Sequence, residues 1–155
     1  MKTNAIRILE QATIPIRLLT YEVGEAHLPA EEVAQLLGLH PESVFKTLVA
    51  HGDKSGFLFA VIPAPANLNL KALAQVSGNK RVELLPLKDV LERTGYVRGA
   101  VTVLGAKKAF PAYVDETIEL WDEISVSAGT RGLQVLLAPT DYLHITQAKL
   151  ANLVE

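Results

Sequence analysis

One lysine interrupts an apolar run. In Val44-Phe45-Lys46-Thr47-Leu48-Val49, strand alternation puts Val44, Lys46 and Leu48 on one face and Phe45, Thr47 and Val49 on the other. A lysine sharing a face with two aliphatics either snorkels at a rim or lines a cleft, where its compact ammonium is a point charge for an anion. Two glycine turns follow, Gly95-Tyr96-Val97-Arg98-Gly99 and Gly105-Ala106-Lys107-Lys108. They serve either as hairpin turns or as places where a ligand approaches the backbone closely. The segment Ser127-Ala128-Gly129-Thr130-Arg131-Gly132 joins small residues, a run of amides and an arginine. It reads either as a cradle for an anion or carboxyl group, or as a hairpin loop with a surface arginine.

Other chemistries find little support. The four histidines, His27, His40, His51 and His144, form no HxxxH or HxH pair, so no metal site is expected. The absence of cysteine removes thiolate nucleophiles, disulfides and iron–sulfur ligation. Around Ser127 the sequence VSAGTRG lacks the glycine of a nucleophile elbow, and no histidine is placed to serve it. Neither a Walker loop nor a GxGxxG fingerprint is present.

The elements that must position these residues can be read from periodicity and stop signals. Asn4 to Ala12 places Ala5, Ile8, Leu9 and Ala12 on one helical stripe, with Thr3 as cap. Ile16 to Val23 is rich in strand formers. Leu28 to Leu39 opens with a proline and two acids and closes near Gly38, the signals of a short helix. Ser43 to His51 and Phe57 to Ile62 flank a glycine-bounded turn and read as a hairpin; the second run is apolar throughout, hence buried on both faces. Leu70 to Ser77 and Leu87 to Thr94 read as helices ended by Gly78 and Gly95. Strands are expected at Ala100–Leu104, Ala112–Asp115, Thr117–Leu120, Ile124–Ala128 and Leu133–Ala138, and a helix at Asp141–Ala148. This irregular mixture favours an α+β fold on a largely antiparallel or mixed sheet, in one domain spanning residues 1–155.

Composition agrees. The 155 residues are 49% hydrophobic and 21% charged, the balance of a globular domain that needs no disulfide or metal to hold its core. The first residues do not read as a signal peptide and no run is long enough to span a membrane, so a cytoplasmic location is expected. The net charge of −2 argues against a general nucleic-acid coat. From Lys71 to Lys108, however, eight basic residues face three acidic ones, a local net charge of +5. That is either a polyanion footprint or a solvated surface with uneven charge.

Taken together, five ordered blocks carry a resemblance. They are Phe45-Lys46-Thr47-Leu48, Pro65 to Lys71 (PANLNLK), Thr94 to Gly99 (TGYVRG), Leu104 to Lys108 (LGAKK) and Val126 to Leu133 (VSAGTRGL). In order and spacing they resemble the YbaK/EbsC family, free-standing aminoacyl-tRNA deacylases related to the editing domain of bacterial prolyl-tRNA synthetases. The resemblance implies an α+β domain with a mixed, partly closed β-sheet and flanking helices. It implies hydrolysis of the ester joining an amino acid to the terminal adenosine of tRNA, without metal or cofactor. The YbaK branch implies Cys-tRNA(Pro) as substrate, with the substrate's own thiol assisting. Partners would be mischarged tRNA and, as an open option, prolyl-tRNA synthetase.

By that resemblance Lys46 and Gly99 carry the chemistry. Tyr21, Phe45, Thr47, Ser127, Gly129 and Arg131 would bind substrate. Arg98, Lys107 and Lys108 would receive the tRNA backbone. The chain departs from the family at Gly99-Ala100, where paired glycines are usual, and at Thr102 to Lys108, where the family has SPLGQKK. It departs again at Ser127 to Leu133, where the family has SGGKRGL followed by an acid and this chain continues with Gln134. These changes leave alanine, serine and threonine open beside cysteine. Two other expectations use the same cleft: a non-catalytic nucleotide or tRNA module, and an esterase for small substrates.

Overall fold

The structure, a computed structural model, describes residues 2–24, 28–107 and 109–155. Helix α1 (Asn4–Gln11) begins at Thr3, whose hydroxyl oxygen accepts from the Ile6 N–H while its O–H donates to the Ala128 carbonyl. One side chain thus caps the helix and ties it to a distant loop. Helix α1 buries Ala5, Ile6 and Leu9, a stripe turned from the expected one because Ala12 lies past the last turn, exposed. Strand β1 (Arg17–Thr20) is followed by α2 (Ala30–Leu37), which ends at left-handed Gly38.

The hairpin of β2 (Phe45–Gly52) and β3 (Gly56–Pro63) is present as expected, in register from Phe45 opposite Pro63 to Gly52 opposite Gly56. Helix α3 (Leu70–Ser77) ends at Gly78, and β4 (Val82–Leu84) leads into α4 (Leu87–Thr94), which ends at Gly95. The rest of the chain supplies β5 (Ala112–Asp115), β6 (Ile124–Ser127), β7 (Leu133–Leu137), α5 (Pro139–Thr146) and β8 (Lys149–Ala151).

These strands make two sheets, ordered β1-β7-β6 and β4-β2-β3-β5-β8. The larger is mixed, with β3–β5 and β5–β8 parallel and the other pairs antiparallel. A parallel bridge between Val44 and Ser125 joins the sheets at one corner, which is the partial closure expected. Phe45, Val61, Val114, Val126 and Val135 fill the space between the sheets with α1 and Tyr142 of α5. Leu58, Ala60 and Ile62 point the other way, against Leu73 and Ala74 of α3. Both faces of β3 are therefore covered, which is why it reads as an unbroken apolar run.

Several expected elements differ. Ala100–Leu104 is not a strand: the Ala100 N–H donates to the Val97 carbonyl and the Leu104 N–H to the buried Thr102 hydroxyl, so local turns take the groups a ladder would need. Nor do the two glycine turns lie within hairpins; Gly95 ends α4 and the following residues form one loop. Thr117–Leu120 lies in a 3₁₀ turn because the Asp115 carboxylate accepts from both the N–H and the hydroxyl of Thr117. The run Ile16–Val23 pairs over Arg17–Thr20 alone, and α5 starts at Pro139 rather than Asp141. Strands β4 and β8, three residues each, exist through their pairing with β2 and β5 and carry too few residues to show a period.

Candidate active site

Strand β2 creates an opening through the way its outer edge is shared. The Ala64 N–H donates to the Val44 carbonyl, so the hydrogen-bonded pairs with β3 fall at even positions of β2 and the backbone of Thr47 faces outward. On that outer edge, β4 takes Ala50 to Gly52, and the Leu85 N–H donates to the Val49 carbonyl. At the other end Val44 bridges to Ser125 of β6. Lys46, Thr47 and Leu48 lie between these two attachments, with no strand on their outer edge among the described residues.

A cavity of about 410 Å³ occupies this gap. Its walls come from Phe45 to Val49 of β2, Ala30 and Val33 of α2, Leu84 of β4 with the adjoining Leu85, Leu87 and Val90 of α4, and Arg98, Gly99 and Val101 of the following loop. The smaller sheet closes it with Tyr21, Ser127 and Gln134. Tyr21 is held at the rim by its N–H, which donates to the Gly132 carbonyl at 3.0 Å.

Lys46 is half-buried and lines this cavity, so it takes the cleft alternative. Its Nζ donates to the Ala64 carbonyl at 2.8 Å, which among the described residues leaves two of its three N–H bonds for a ligand. Burial pushes its pKa below the usual lysine value, against the opposite pull of Glu31 in the first turn of α2. Arg98 is the second cation of the lining and is exposed at the mouth. Among the described residues the lining holds no carboxylate.

The Gly99 loop is fastened on both sides. Arg131 Nε donates to the Arg98 carbonyl at 2.7 Å, and Ser127 Oγ donates to the Ala100 carbonyl at 3.0 Å. Gly99 itself has a φ of +87°, a conformation that disfavours any side chain. Ser127 also accepts from the Gly129 N–H at 3.1 Å. Tyr96 backs the same loop: its hydroxyl donates to the Leu104 carbonyl at 2.7 Å, and a side chain at Gly129 would meet its ring at 3.0 Å. With both of its neighbouring carbonyls occupied, Gly99 is held with its backbone against the cavity.

Of the residues expected from sequence, Tyr21, Phe45, Lys46, Thr47, Arg98, Gly99 and Ser127 share one cavity. Gly129 and Arg131 do not line it themselves; each bonds to a residue that does, Gly129 to the Ser127 hydroxyl and Arg131 to the Arg98 carbonyl. Lys107 is exposed away from the cavity, and Lys108 lies outside the described residues, as does His27. Leu84, Leu85, Leu87, Val33 and Gln134 were missed as lining residues; the acid-to-glutamine departure was the one signal that pointed at any of them.

Comparison with known proteins gives this cavity a context. A model of the aminoacyl-tRNA editing domain matches residues 25–145. The chain belongs to that family. It is 46% identical over 152 residues to a protein of Enterococcus faecalis named, provisionally, Cys-tRNA(Pro)/Cys-tRNA(Cys) deacylase EbsC, covering 98% of this chain and 93% of that one. It is 30% identical over 149 residues to the "Multifunctional Ser/Thr-tRNA deacylase ProXp-y" of Escherichia coli K12, covering 95% and 89%. A crystal structure described, again provisionally, as a trans-editing enzyme for prolyl tRNA synthetase superposes with a TM-score of 0.83 at 25% identity, over 100% of this chain and 99% of that one. Among the described residues no helix of this editing domain is long and apolar enough to cross a membrane.

Proposed function

We propose that the protein is a trans-editing hydrolase that deacylates mischarged tRNA, with Cys-tRNA(Pro) as its first substrate. One observation carries the reading: a single cavity joins the Lys46 ammonium, Tyr21, Gly99 and Ser127 in a chain of the aminoacyl-tRNA editing family. The names of the Enterococcus and Escherichia relatives support the ester and the tRNA as substrate class. Cytoplasmic action and delivery by prolyl-tRNA synthetase belong to the same proposal.

The two free N–H bonds of Lys46 hold the terminal phosphate or ribose of the acceptor end. Arg98 at the mouth receives the preceding phosphate. The acyl group then passes inward, with its carbonyl oxygen against the backbone at Gly99, where an N–H stabilises the charge that develops on it. Water adds to the acyl carbon, the bond from that carbon to the ribose oxygen breaks, and a proton passes to the leaving oxygen. With cysteine as the acyl group, its thiol can make the first attack instead, expelling the ribose oxygen, which takes up the thiol proton, and leaving a thiolactone that water then opens to free cysteine. The ester is already activated, so holding it in a reactive geometry supplies much of the barrier reduction.

The test is release of amino acid from cysteinyl-, seryl-, threonyl- and alanyl-tRNA for proline, by wild type and by Lys46→Ala. Turnover by wild type and its loss in a folded Lys46→Ala protein are expected. Salt-dependent tRNA binding with no turnover of any of the four would overturn the proposal in favour of a binding module. Turnover of aminoacyl esters without tRNA would favour a small-molecule esterase.

A further inference from the structure

Gln134 is the most enclosed polar side chain of the cavity lining, 6% exposed. It sits on the middle strand of the smaller sheet, opposite Ser127 of β6 and Leu19 of β1. Its Oε1 accepts from Ser125 Oγ at 2.9 Å, and this bond sets the plane of the amide. The Nε2 at the other end meets no acceptor among the described residues, and unlike the Tyr142 hydroxyl it is not sealed away. A buried amide with one end fixed and the other open to a cavity is a directed donor awaiting a partner.

The exposure of the polar lining is graded. Arg98 is exposed at the mouth, Lys46 is half-buried, and Gln134 is buried. Charges of a nucleotide end are met at the first two positions, so the group that reaches the third is the uncharged end of the ligand. Much of the rest of the lining is apolar, Phe45, Val33 and Val101 among it, and Ser127, which pairs with Gln134 across the sheet, spends its proton on the Ala100 carbonyl. A donor held in a fixed direction in a largely apolar lining selects for an acceptor.

We infer that Gln134 is a specificity-determining residue whose Nε2 donates to the oxygen or sulfur on the β-carbon of the bound amino acid. The inference rests on the deacylase reading for the identity of the ligand. Serine, threonine and cysteine satisfy this donor, the sulfur more weakly because it is a poor acceptor. Alanine offers a methyl group and leaves the donor unpaired, the larger part of its disadvantage.

Two variants test this. Gln134→Glu keeps an acceptor for Ser125 and the same size but removes the donor; Gln134→Met removes donor and acceptor alike. Each is compared with wild type in two assays: kcat/KM on seryl- and alanyl-tRNA, and calorimetric affinity for seryl- and alanyl-adenosine linked by a 3′ amide that cannot be hydrolysed. In both assays the serine-to-alanine ratio is expected to fall about tenfold in Gln134→Glu, and in Gln134→Met where that protein folds. An unchanged ratio in Gln134→Glu overturns the inference. Absence of turnover in wild type together with a shifted affinity ratio would overturn the deacylase reading and leave the inference standing.

Discussion

The two ends of β2 solve the same problem in opposite ways. At the far end the turn from Gly52 to Gly56 is closed completely. Asn79 Oδ1 accepts from the N–H groups of Lys54 and Ser55, both at 2.8 Å, and the Asp53 carboxylate accepts from those of Lys80 and Arg81. Those bonds hold the Asp53 carboxyl below its ordinary pKa. A side chain at Gly52 would collide with Asn79, so the packing is tight as well. At the near end, around Lys46, the strand edge is left open and the surrounding side chains fasten a separate loop instead. Polar satisfaction stabilises the first end; at the second the outer edge of the strand is left unpaired among the described residues.

The comparison is broken most directly at Lys46. Lys46→Ala is expected to lower kcat/KM about 100-fold or more, in line with loss of a preorganised charge, while the melting temperature stays close to wild type. Asn79→Ala should do the reverse. It orphans two backbone donors, so a loss of about 1–3 kcal/mol by urea denaturation is expected, with kcat/KM retained below the unfolding transition. Equal effects of both variants on both readouts would erase the distinction between the ends.

Arg131→Ala sharpens it. Arg131 is a positioning residue acting through the Arg98 carbonyl, so kcat should drop about tenfold with little change in KM, as expected when a loop is mispositioned and binding is kept. Arg131→Lys, which can still donate to that carbonyl, should recover part of the loss. If KM alone rises, the guanidinium contacts substrate instead. Lys46 also predicts a pH dependence. If its ammonium form holds the phosphate, its pKa lowered by burial means that affinity for an amide-linked aminoacyl-adenosine 5′-phosphate should fall as pH rises, with a midpoint below that of an exposed lysine. A midpoint at the ordinary lysine value would place the amine in open water.

The smallest effect is expected at Tyr142→Phe. This hydroxyl is fully buried without a hydrogen-bond partner among the described residues, and Thr47 lies beside it without completing a bond. Burial also holds its pKa well above the usual tyrosine value. Removing it should change stability by less than about 1 kcal/mol, in the stabilising direction.

Much of this molecule was legible in the residues themselves. Helices α3 and α4 end where Gly78 and Gly95 say they should, and the β2–β3 hairpin follows from two strand-forming runs around a glycine-bounded turn. Lys46 stood out because one charge in an apolar strand is a local anomaly. Capping, turn chemistry and side-chain alternation act within a few residues, so one stretch of chain is enough to specify them. The ordered blocks also pointed to the editing family before any contact was known.

What the chain could not reveal piecewise was how distant segments divide the edge of β2. The bridge from Val44 to Ser125 and the short β4 together leave Lys46 to Leu48 uncovered, and neither is encoded near Lys46. Arg131 was expected to bind substrate; the meeting of two loops 33 residues apart also ties its Nε to the Arg98 carbonyl, a bond no local sequence signals. Gln134 looked like one departure among several, until the smaller sheet turned it into the cavity with one end of its amide occupied. Sheet closure sets these roles, because an atom's partner is decided by which surfaces meet and not by which residues adjoin it in the chain.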